Sequence, residues 1–195
     1  TASIGDLQPK THASNSKDYI QKLKLERLLG SDYIGQHHWI ELDNNPKDEY
    51  LELFSKEKIV WQEMATKGTF LIDRNKFHSL DTTRILTGKN LPYLLGILNS
   101  KFFLFAFKNY YAGGHLGSKG VRFKSEFMKN FPIPPITDVN QNLVAKIENK
   151  VDATLAAKAA DPDPDTTDLE NEIDKLVYEL YNLTKDEIAI VEGSV

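Results

Sequence analysis

The feature that most constrains the fold is the apolar run LPYLLGILNSKFFLFAF at residues 91–107. Its large apolar side chains recur at the i, i+3, i+4 and i+7 spacing of a helix and cover most of the helix circumference. Pro92 suits the first turn of a helix, where the missing N–H has no partner to lose. A helix that is apolar on nearly all sides must be covered by other elements, so the sequence predicts a buried central helix over residues 91–106.

A small sheet is predicted just before this helix. The segments KIVWQEMA (58–65), TFLID (69–73) and TTRILT (82–87) are rich in β-branched and aromatic residues, which favour strands. The first two flank a Lys67-Gly68 turn, and Gly88 closes the third. Residues 56–88 are therefore expected to form a small mixed or antiparallel sheet. Upstream, the pattern predicts a helix over 17–29 and a short strand over 38–42.

The C-terminal third is predicted to be helical. FPIPP at residues 131–135 cannot continue a helix or a central strand, which places a boundary near Ile136. Two amphipathic stripes follow, separated by an acidic proline turn at residues 161–165. Thr167-x-x-Glu170 and Thr184-x-x-Glu187 both fit the capping box. The predicted fold class is thus α+β: a small sheet packed on a buried central helix, then a C-terminal helical hairpin with a short last helix.

The net charge of −4 hides two opposed segments. Residues 56–130 carry 13 basic and 5 acidic side chains, a net of +8, whereas residues 131–195 carry 5 basic and 14 acidic ones, a net of −9. Such asymmetry is typical of a polyanion-binding face beside a segment with another role. The alternative is an ordinary solvated lysine-rich surface. The absence of cysteine excludes disulfides, thiolate zinc sites and a cysteine nucleophile.

Motifs for catalysis and metal binding are only partial matches. Asp138, Glu148 and Lys150 have a nuclease-like spacing, but the last two fall on an amphipathic helix as ordinary surface charges. The aspartates of the 161–165 turn resemble a calcium loop, but Thr166 stands where that loop requires glycine. The sequence therefore predicts neither an active site nor a metal site in this chain.

The basic segment contains a glycine-rich loop at residues 113–120. Glycines allow close approach of the backbone, and lysine, arginine and serine supply phosphate contacts. Arginine can also read guanine through a bidentate pair. A long surface loop with unremarkable charges is the competing interpretation. The candidate DNA-binding residues are Arg74, Lys76, Arg84, Tyr111, His115, Ser118, Lys119, Arg122 and Lys124.

A series of short motifs resembles one known family. In order they are KIVWQEM (58–64), a Thr82-Thr83…Thr87-Gly88 strand, LPYLLGILNSKFF (91–103), the glycine-rich loop, FPIPP (131–135) and LVYELYNLTKDEIAIVEG (176–193). Together they are similar to the C-terminal target-recognition domain of type IIG restriction–modification enzymes, the TaqI-like specificity domain. The resemblance covers residues 56–193, and residues 1–55 match less clearly.

The resemblance implies a division of labour. Residues 56–136 would be the DNA target-recognition core, 137–195 a helical hairpin or spacer, and 1–55 an N-terminal helix and first strand of the recognition domain. This chain would not be an enzyme. Methyltransferase and endonuclease modules upstream would bind S-adenosylmethionine and Mg²⁺, giving a site-specific adenine DNA methyltransferase with or without endonuclease activity. The expected partners are double-stranded DNA and those upstream modules. The expected location is the cytoplasm, with which the absence of cysteine is compatible. No apolar run reaches the ~18 residues of a membrane span.

Two other functions are compatible with the sequence. The hairpin could be a protein-interaction or dimerisation module acting through the apolar stripes Leu143/Ile147/Val151 and Leu169/Ile173/Val177. A stand-alone nuclease would have to use Asp138 and Glu148. Mutual burial of the two stripes within one chain would count against the first alternative.

Overall fold

The computed structural model describes residues 48–66, 69–79, 82–112, 115–116, 120–161 and 163–193. The chain divides into two compact units, Thr1–Leu53 and Phe54–Val195. The helix predicted over 17–29 and the strand predicted over 38–42 lie outside the described residues. The described part of the first unit belongs to helix α1 (Asp48–Ser55).

Two small antiparallel sheets occur in the described part of the second unit. Their strands are β1 (Lys58–Gln62), β2 (Met64–Ala65), β3 (Phe70–Asp73), β4 (Thr83–Thr87), β5 (His115–Leu116) and β6 (Gly120–Arg122). The first sheet has the order β3-β1-β4 and the second the order β2-β6-β5. The predicted small sheet over 56–88 is confirmed. The predicted continuous strand over 58–65 is wrong, because the chain leaves the first sheet after Gln62 and joins the second at Met64.

The remaining elements are helical. They are α2 (Leu91–Leu98), α3 (Lys101–Ala106), a π-helical turn (Phe107–Tyr111), α4 (Ser125–Met128), α5 (Gln141–Ala160), α6 (Thr167–Leu180) and α7 (Lys185–Glu192). The predicted α+β class is confirmed, as are the helical hairpin of α5 and α6 and the short last helix.

The predicted single central helix is wrong in one respect: it is broken at Asn99 and Ser100. Ser100 is extended, and its Oγ accepts a hydrogen bond from the N–H of Phe103 while donating one to the carbonyl of Ile97. A serine that caps a new helix competes with continuation of the old one. The side chain of Asn99 bonds to the N–H and carbonyl of Phe70, so it acts like a short strand partner for β3.

The hairpin and the sheets share one hydrophobic core. Helix α2 packs against β3 on one side and against α5 on the other, and α5 packs against α6. The apolar residues of the hairpin belong to the same buried cluster as Ile59 and Trp61 of β1; its fully or nearly fully buried members are Val144, Ile147, Val151, Ile173, Val177 and Leu180. The acidic tail is therefore packed on the basic unit along its buried face.

A buried carboxylate joins the hairpin to the broken central helix. Asp174 of α6 accepts a hydrogen bond from the N–H of Lys101 at 2.9 Å, which satisfies a free donor in the first turn of α3. The Nζ of Lys101 lies 3.6 Å from Asp174 and 2.9 Å from Glu192 of α7. Burial raises the pKa of Asp174, and the bonds from Lys101 oppose that effect. This network ties α3, α6 and α7 together.

The two predicted capping boxes differ in outcome. At Thr184 both halves form: the Thr184 hydroxyl accepts from the N–H of Glu187, and the Glu187 carboxylate accepts from the N–H of Thr184. The box predicted at Thr167 is wrong, because α6 is preceded by Thr166 and has no side-chain cap there. The hydroxyl of Thr166 instead donates to the carboxylate of Glu170.

The acidic turn between α5 and α6 uses its carboxylates on its own backbone. Asp161 accepts from the N–H of Asp163, and Asp165 accepts from the N–H of Thr167. Lys158, just before the turn on α5, pairs with Glu170, just after it on α6, at 2.8 Å. The turn is therefore a helix–helix connection.

A buried ion pair organises one end of the first sheet. Lys58 is fully buried, and its Nζ lies 2.5 Å from the Asp73 carboxylate and 2.9 Å from the carbonyl of Phe54. The carboxylate also accepts from the N–H groups of Asn75 and Phe77. Burial alone would raise the pKa of Asp73, but these bonds and the Lys58 charge outweigh it and lower the pKa.

Gly96 permits the close packing of α2 on α5. A Cβ at this position would lie 2.7 Å from Cγ2 of Ile147 and 3.1 Å from Cγ2 of Val151. We therefore expect Gly96→Ala to lower the free energy of unfolding by about 1–3 kcal/mol, as overpacking of a core does. Chemical denaturation measures this. In the Ile147→Ala background the same substitution should be much less harmful, because the clashing methyl is gone; an equal loss in both backgrounds would contradict the packing argument.

The Lys58–Asp73 pair predicts a specific pH dependence. Because the folded-state pKa of Asp73 is below its ordinary value of 3.8, the stabilisation is present above that value and is lost as pH falls through the folded-state pKa. At pH 7, Asp73→Asn should cost about 3–5 kcal/mol, since it leaves a buried lysine without its counter-ion. Below pH 3.8 the difference between variant and parent should shrink. Asp152→Asn, which removes an exposed carboxylate, serves as the control and should change stability by less than about 1 kcal/mol.

Candidate nucleic-acid interface

The two sheets meet at Glu63. Its N–H donates to the carbonyl of Thr82 at 2.9 Å, and its carbonyl accepts from the N–H of Phe123 at 2.6 Å. The main chain of one residue therefore connects the start of β4 to the end of β6. The name "junction" is used below for Glu63, Thr82 and Phe123.

Phe123 is fixed at the junction from both its main chain and its ring. Its carbonyl accepts a buried hydrogen bond from Nε1 of Trp61 at 2.8 Å. Its fully buried ring stacks on Phe107 with centroids 5.1 Å apart and meets the edge of Phe70 at 5.7 Å. Aromatic pairs in these geometries add stability beyond the area they bury. The residues on either side of Phe123 are consequently held in defined positions.

Three candidate cations lie around this junction. Arg84 is opposite Trp61 in β4, Arg122 is opposite Met64 in β6, and Lys124 directly follows Phe123. Since positions 61 and 64 are three residues apart along the chain, the structure brings these three side chains to one end of the first sheet. Among the described residues, Arg84, Arg122 and Lys124 are thus the three predicted site residues that lie next to the junction.

The three cations have different surroundings. Arg84 forms an ion pair with the largely buried Glu63. Lys124 lies 3.6 Å from the Glu126 carboxylate and 5.8 Å from the ring centroid of Phe127. Arg122 is half-buried, and its Nε is buried without a hydrogen-bond partner among the described residues. A buried donor without a hydrogen-bond partner is unfavourable, and among these three cations only Arg122 has such a donor with respect to the described residues.

Arg74 and Lys76 lie at the opposite end of the first sheet. They follow Asp73, which pairs with Lys58 at the start of β1, whereas Arg84 is opposite Trp61 near its end. Arg74 pairs with Glu57 at 2.7 Å and with Asp152 of α5 at 3.5 Å. The hydrogen bond from Arg74 to Glu57 is the main cause that raises the pKa of Arg74. Lys76 is exposed in the left-handed conformation, with φ of 61°.

Tyr111 packs among aromatic side chains. It ends the π-helical turn and packs edge-on against Phe131, with centroids 5.3 Å apart. It lines a pocket of about 360 Å³ whose aromatic walls are Phe102, Phe105, Tyr110, Tyr111, Phe131 and Tyr181. The carboxylate that lines this pocket, Glu187, is engaged in the capping box. This pocket therefore presents no acid–base pair or nucleophile.

The glycine-rich loop is described only in part. His115 lies in β5, where its backbone pairs with Val121 of β6. Ser118 and Lys119 lie outside the described residues. Leu116 of β5 pairs with Gly120 of β6, and Arg122 ends β6 next to the junction.

Neither a metal site nor a membrane span occurs in the part of the chain that the structure describes. No three histidine, aspartate or glutamate side chains there are grouped so that they could hold a metal ion. Among the same residues, no helix is long and apolar enough to cross a membrane. Lys150, from the nuclease-like spacing, pairs with Glu172 of the neighbouring helix.

The sequence also matches a known family. The model of the TaqI-like C-terminal specificity domain matches residues 11–133. The chain belongs to this family. The match starts earlier than the motif series, since it includes residues 11–55, and it stops before the helical hairpin. No curated protein matches the chain.

Some residues of this specificity domain were not predicted as part of the site. Glu63 holds Arg84, and Phe123 fixes the positions of Arg122 and Lys124, but neither was a sequence candidate. Glu63 ends an alternating strand pattern, and Phe123 sits between two basic residues. Such alternation of aromatic and basic residues is the signal that could have pointed to Phe123.

We expect Trp61→Phe to weaken the specificity domain at its junction. The substitution removes the donor to the carbonyl of Phe123 and leaves that buried carbonyl unpaired, which costs about 1–3 kcal/mol of stability. Affinity for duplex DNA should fall as well, because Arg122 and Lys124 lose their fixed positions. Tyr93→Phe is the matched control, since it also removes one side-chain hydrogen bond to a main-chain carbonyl, that of Pro134. Equal DNA affinity in the two variants would argue against a role for the junction.

Proposed function

We propose that this chain selects the DNA sequence on which a restriction–modification enzyme acts. The single observation that carries the proposal is the match of residues 11–133 to the TaqI-like specificity domain. The family is a specificity module and not a catalytic one. Its function would be to hold duplex DNA in one register while other modules carry out the chemistry.

The junction supports this proposal physically. Duplex DNA offers phosphate oxygens and the N7 and O6 acceptors of guanine, both of which suit an arginine. Arg122 is half-buried next to the fixed Phe123, so its side chain starts from a defined position and keeps a part accessible to DNA. Arg84 is held by Glu63, which restricts its conformations before DNA arrives. In this proposal Arg122 is the first choice for a base or phosphate contact, and Lys124 and Lys119 neutralise phosphates.

The finer assignment is also a proposal. By its motif series, the complete enzyme would be of type IIG and would methylate adenine, with or without DNA cleavage. Its upstream modules would bind S-adenosylmethionine and Mg²⁺, and an Asn-Pro-Pro-aromatic motif is expected there. Because its substrate would be the DNA of the cell, we place the enzyme in the cytoplasm.

The interaction-module alternative is disfavoured by the packing of the hairpin. Ile147 and Val177 are fully buried, and Val151 and Ile173 are nearly so, within the common core of the chain. The apolar stripes are thus used within the molecule. They do not offer an open surface to a partner.

DNA binding by this chain should depend strongly on salt. Each neutralised phosphate releases a counterion, so the logarithm of the affinity should fall linearly with the logarithm of the salt concentration. We expect the triple variant Lys119→Glu, Arg122→Glu, Lys124→Glu to lose duplex binding. Fluorescence anisotropy with a labelled pool of randomised duplexes would measure both effects.

The matched control is the triple variant Lys146→Glu, Lys175→Glu, Lys185→Glu. These three lysines are exposed on the hairpin and on α7, and the change in net charge is the same. If the control loses as much affinity as the first triple variant, binding depends on overall charge and the proposed surface is wrong. If the parent chain binds no duplex at any salt concentration, the proposed function is wrong.

A further inference from the structure

The turn after β3 presents an aromatic side chain to solvent. Phe77 is 67% exposed, although a phenylalanine is normally among the more buried residues. It lies between Lys76 and His78, and Arg74 is three residues before it. None of the sequence motifs assigned a role to Phe77. The name "tip" is used below for residues 74–78.

The tip is anchored by hydrogen bonds to Asp73 and by an aromatic stack. The Asp73 carboxylate accepts hydrogen bonds from the N–H of Asn75 at 2.7 Å and from the N–H of Phe77 at 2.9 Å. That carboxylate is itself fixed by the fully buried Lys58. His78 stacks on Phe54, with centroids 4.9 Å apart and planes 21° from parallel. Phe77 is therefore exposed on a turn that is anchored by the Asp73 carboxylate and by the stacking of His78 on Phe54.

The charges at this end of the sheet favour a polyanion. Arg74 is partly neutralised by Glu57 and Asp152. Lys76 is exposed and makes no ion pair with a described residue, and the exposed Lys89 follows β4 at the same end. The left-handed conformation of Lys76 is uncommon for a residue with a side chain and marks a turn of defined shape. An exposed aromatic ring can stack on a base, and the neighbouring Lys76, which has no ion pair with a described residue, can contact the adjacent phosphate.

The spacing between the tip and the junction is compatible with one duplex. Asp73 and Arg84 lie on the two outer strands of the first sheet and three register positions apart. At about 3.3 Å per residue and 4.8 Å per strand, their Cα atoms are about 14 Å apart. This equals about four base pairs at 3.4 Å each. The distance between the two ends of the sheet is thus comparable to the length of a short stretch of duplex.

We infer that Phe77 is an apolar wedge that stacks on, or inserts between, the bases of the bound duplex while Lys76 contacts the adjacent phosphate. The inference rests on the proposed function, because it names a second point of contact of the same DNA. Apolar side chains that enter a base step unstack it partly and bend the duplex, and flexible TA and CA steps give way most easily. Phe77 would thereby favour some sequences without any hydrogen bond to a base.

The experiment compares Phe77→Ala, Lys76→Ala and the parent chain on two labelled 20-base-pair duplexes of equal charge. One duplex is rich in TA and CA steps, and the other consists of A-tracts. Phe77→Ala should lower affinity for the first duplex about tenfold, as loss of one base–aromatic stack does, with an unchanged salt slope. It should have much less effect on the A-tract duplex. Lys76→Ala should reduce the salt slope by about one phosphate on both.

A spectroscopic measurement complements the binding data. The variant Phe77→Trp should lose fluorescence when the flexible duplex is added, because stacking on bases quenches the added indole. Val139→Trp is the control, since Val139 is 95% exposed at the start of the hairpin, away from the tip. Its signal should not change.

The outcomes separate the two proposals. If the parent binds both duplexes and Phe77→Ala binds the flexible one equally well, the wedge is wrong and the proposed function stands. A changed salt slope in Phe77→Ala would also overturn the wedge, because a stacking side chain neutralises no phosphate. If the parent chain binds neither duplex, the proposed function and the wedge fall together. Because Phe77 is largely exposed, its substitution should leave the circular dichroism spectrum and the denaturation midpoint unchanged.

Discussion

The candidate interface depends on how Phe123 is held. Its carbonyl is bound by the indole of Trp61, its N–H by the carbonyl of Glu63, and its ring by Phe70 and Phe107. These contacts join β1, β6 and the end of the central helical segment at one point. Arg122 and Lys124 flank that point, so rigid aromatic packing positions side chains that would otherwise be long and mobile. The same three-residue segment, Arg122 to Lys124, therefore contributes a ring to the buried core and two cations to the candidate interface.

The acidic hairpin has a clear structural role beside this basic unit. Its apolar residues complete the core around α2, and Asp174, together with Glu192 of the following helix α7, holds Lys101 at the start of α3. Asp152 reaches Arg74 on the edge of the first sheet. The negative charge of the tail is therefore partly used in pairing with the sheet and the central helices. This explains how a chain with a net charge of −4 can still present a basic end.

Much of the fold was predictable because periodicity reports burial directly. The strands at 58–62, 70–73 and 83–87, the hairpin helices and the capping box at Thr184 all follow from local patterns. The break at Asn99 and Ser100 was not predicted, since a helix interrupted by two polar residues reads the same as a continuous one. It exists because Asn99 bonds to Phe70 and Asp174 caps α3, and both partners are distant in the sequence. Which end of the first sheet each candidate cation occupies depends on strand register. Strand register cannot be read from a single sequence.

The sequence by itself determined the α+β class, the positions of most elements and the concentration of positive charge in residues 56–130. These properties depend on composition and on spacing along the chain. Only the tertiary structure decided that Arg84, Arg122 and Lys124 share one end of the sheet, and that Arg74 and Lys76 lie at the other. The same holds for the exposure of Phe77, whose main chain is bonded to the Asp73 carboxylate that the buried Lys58 holds. A side chain's neighbours across strands are fixed by pairing, and pairing is a property of the folded chain.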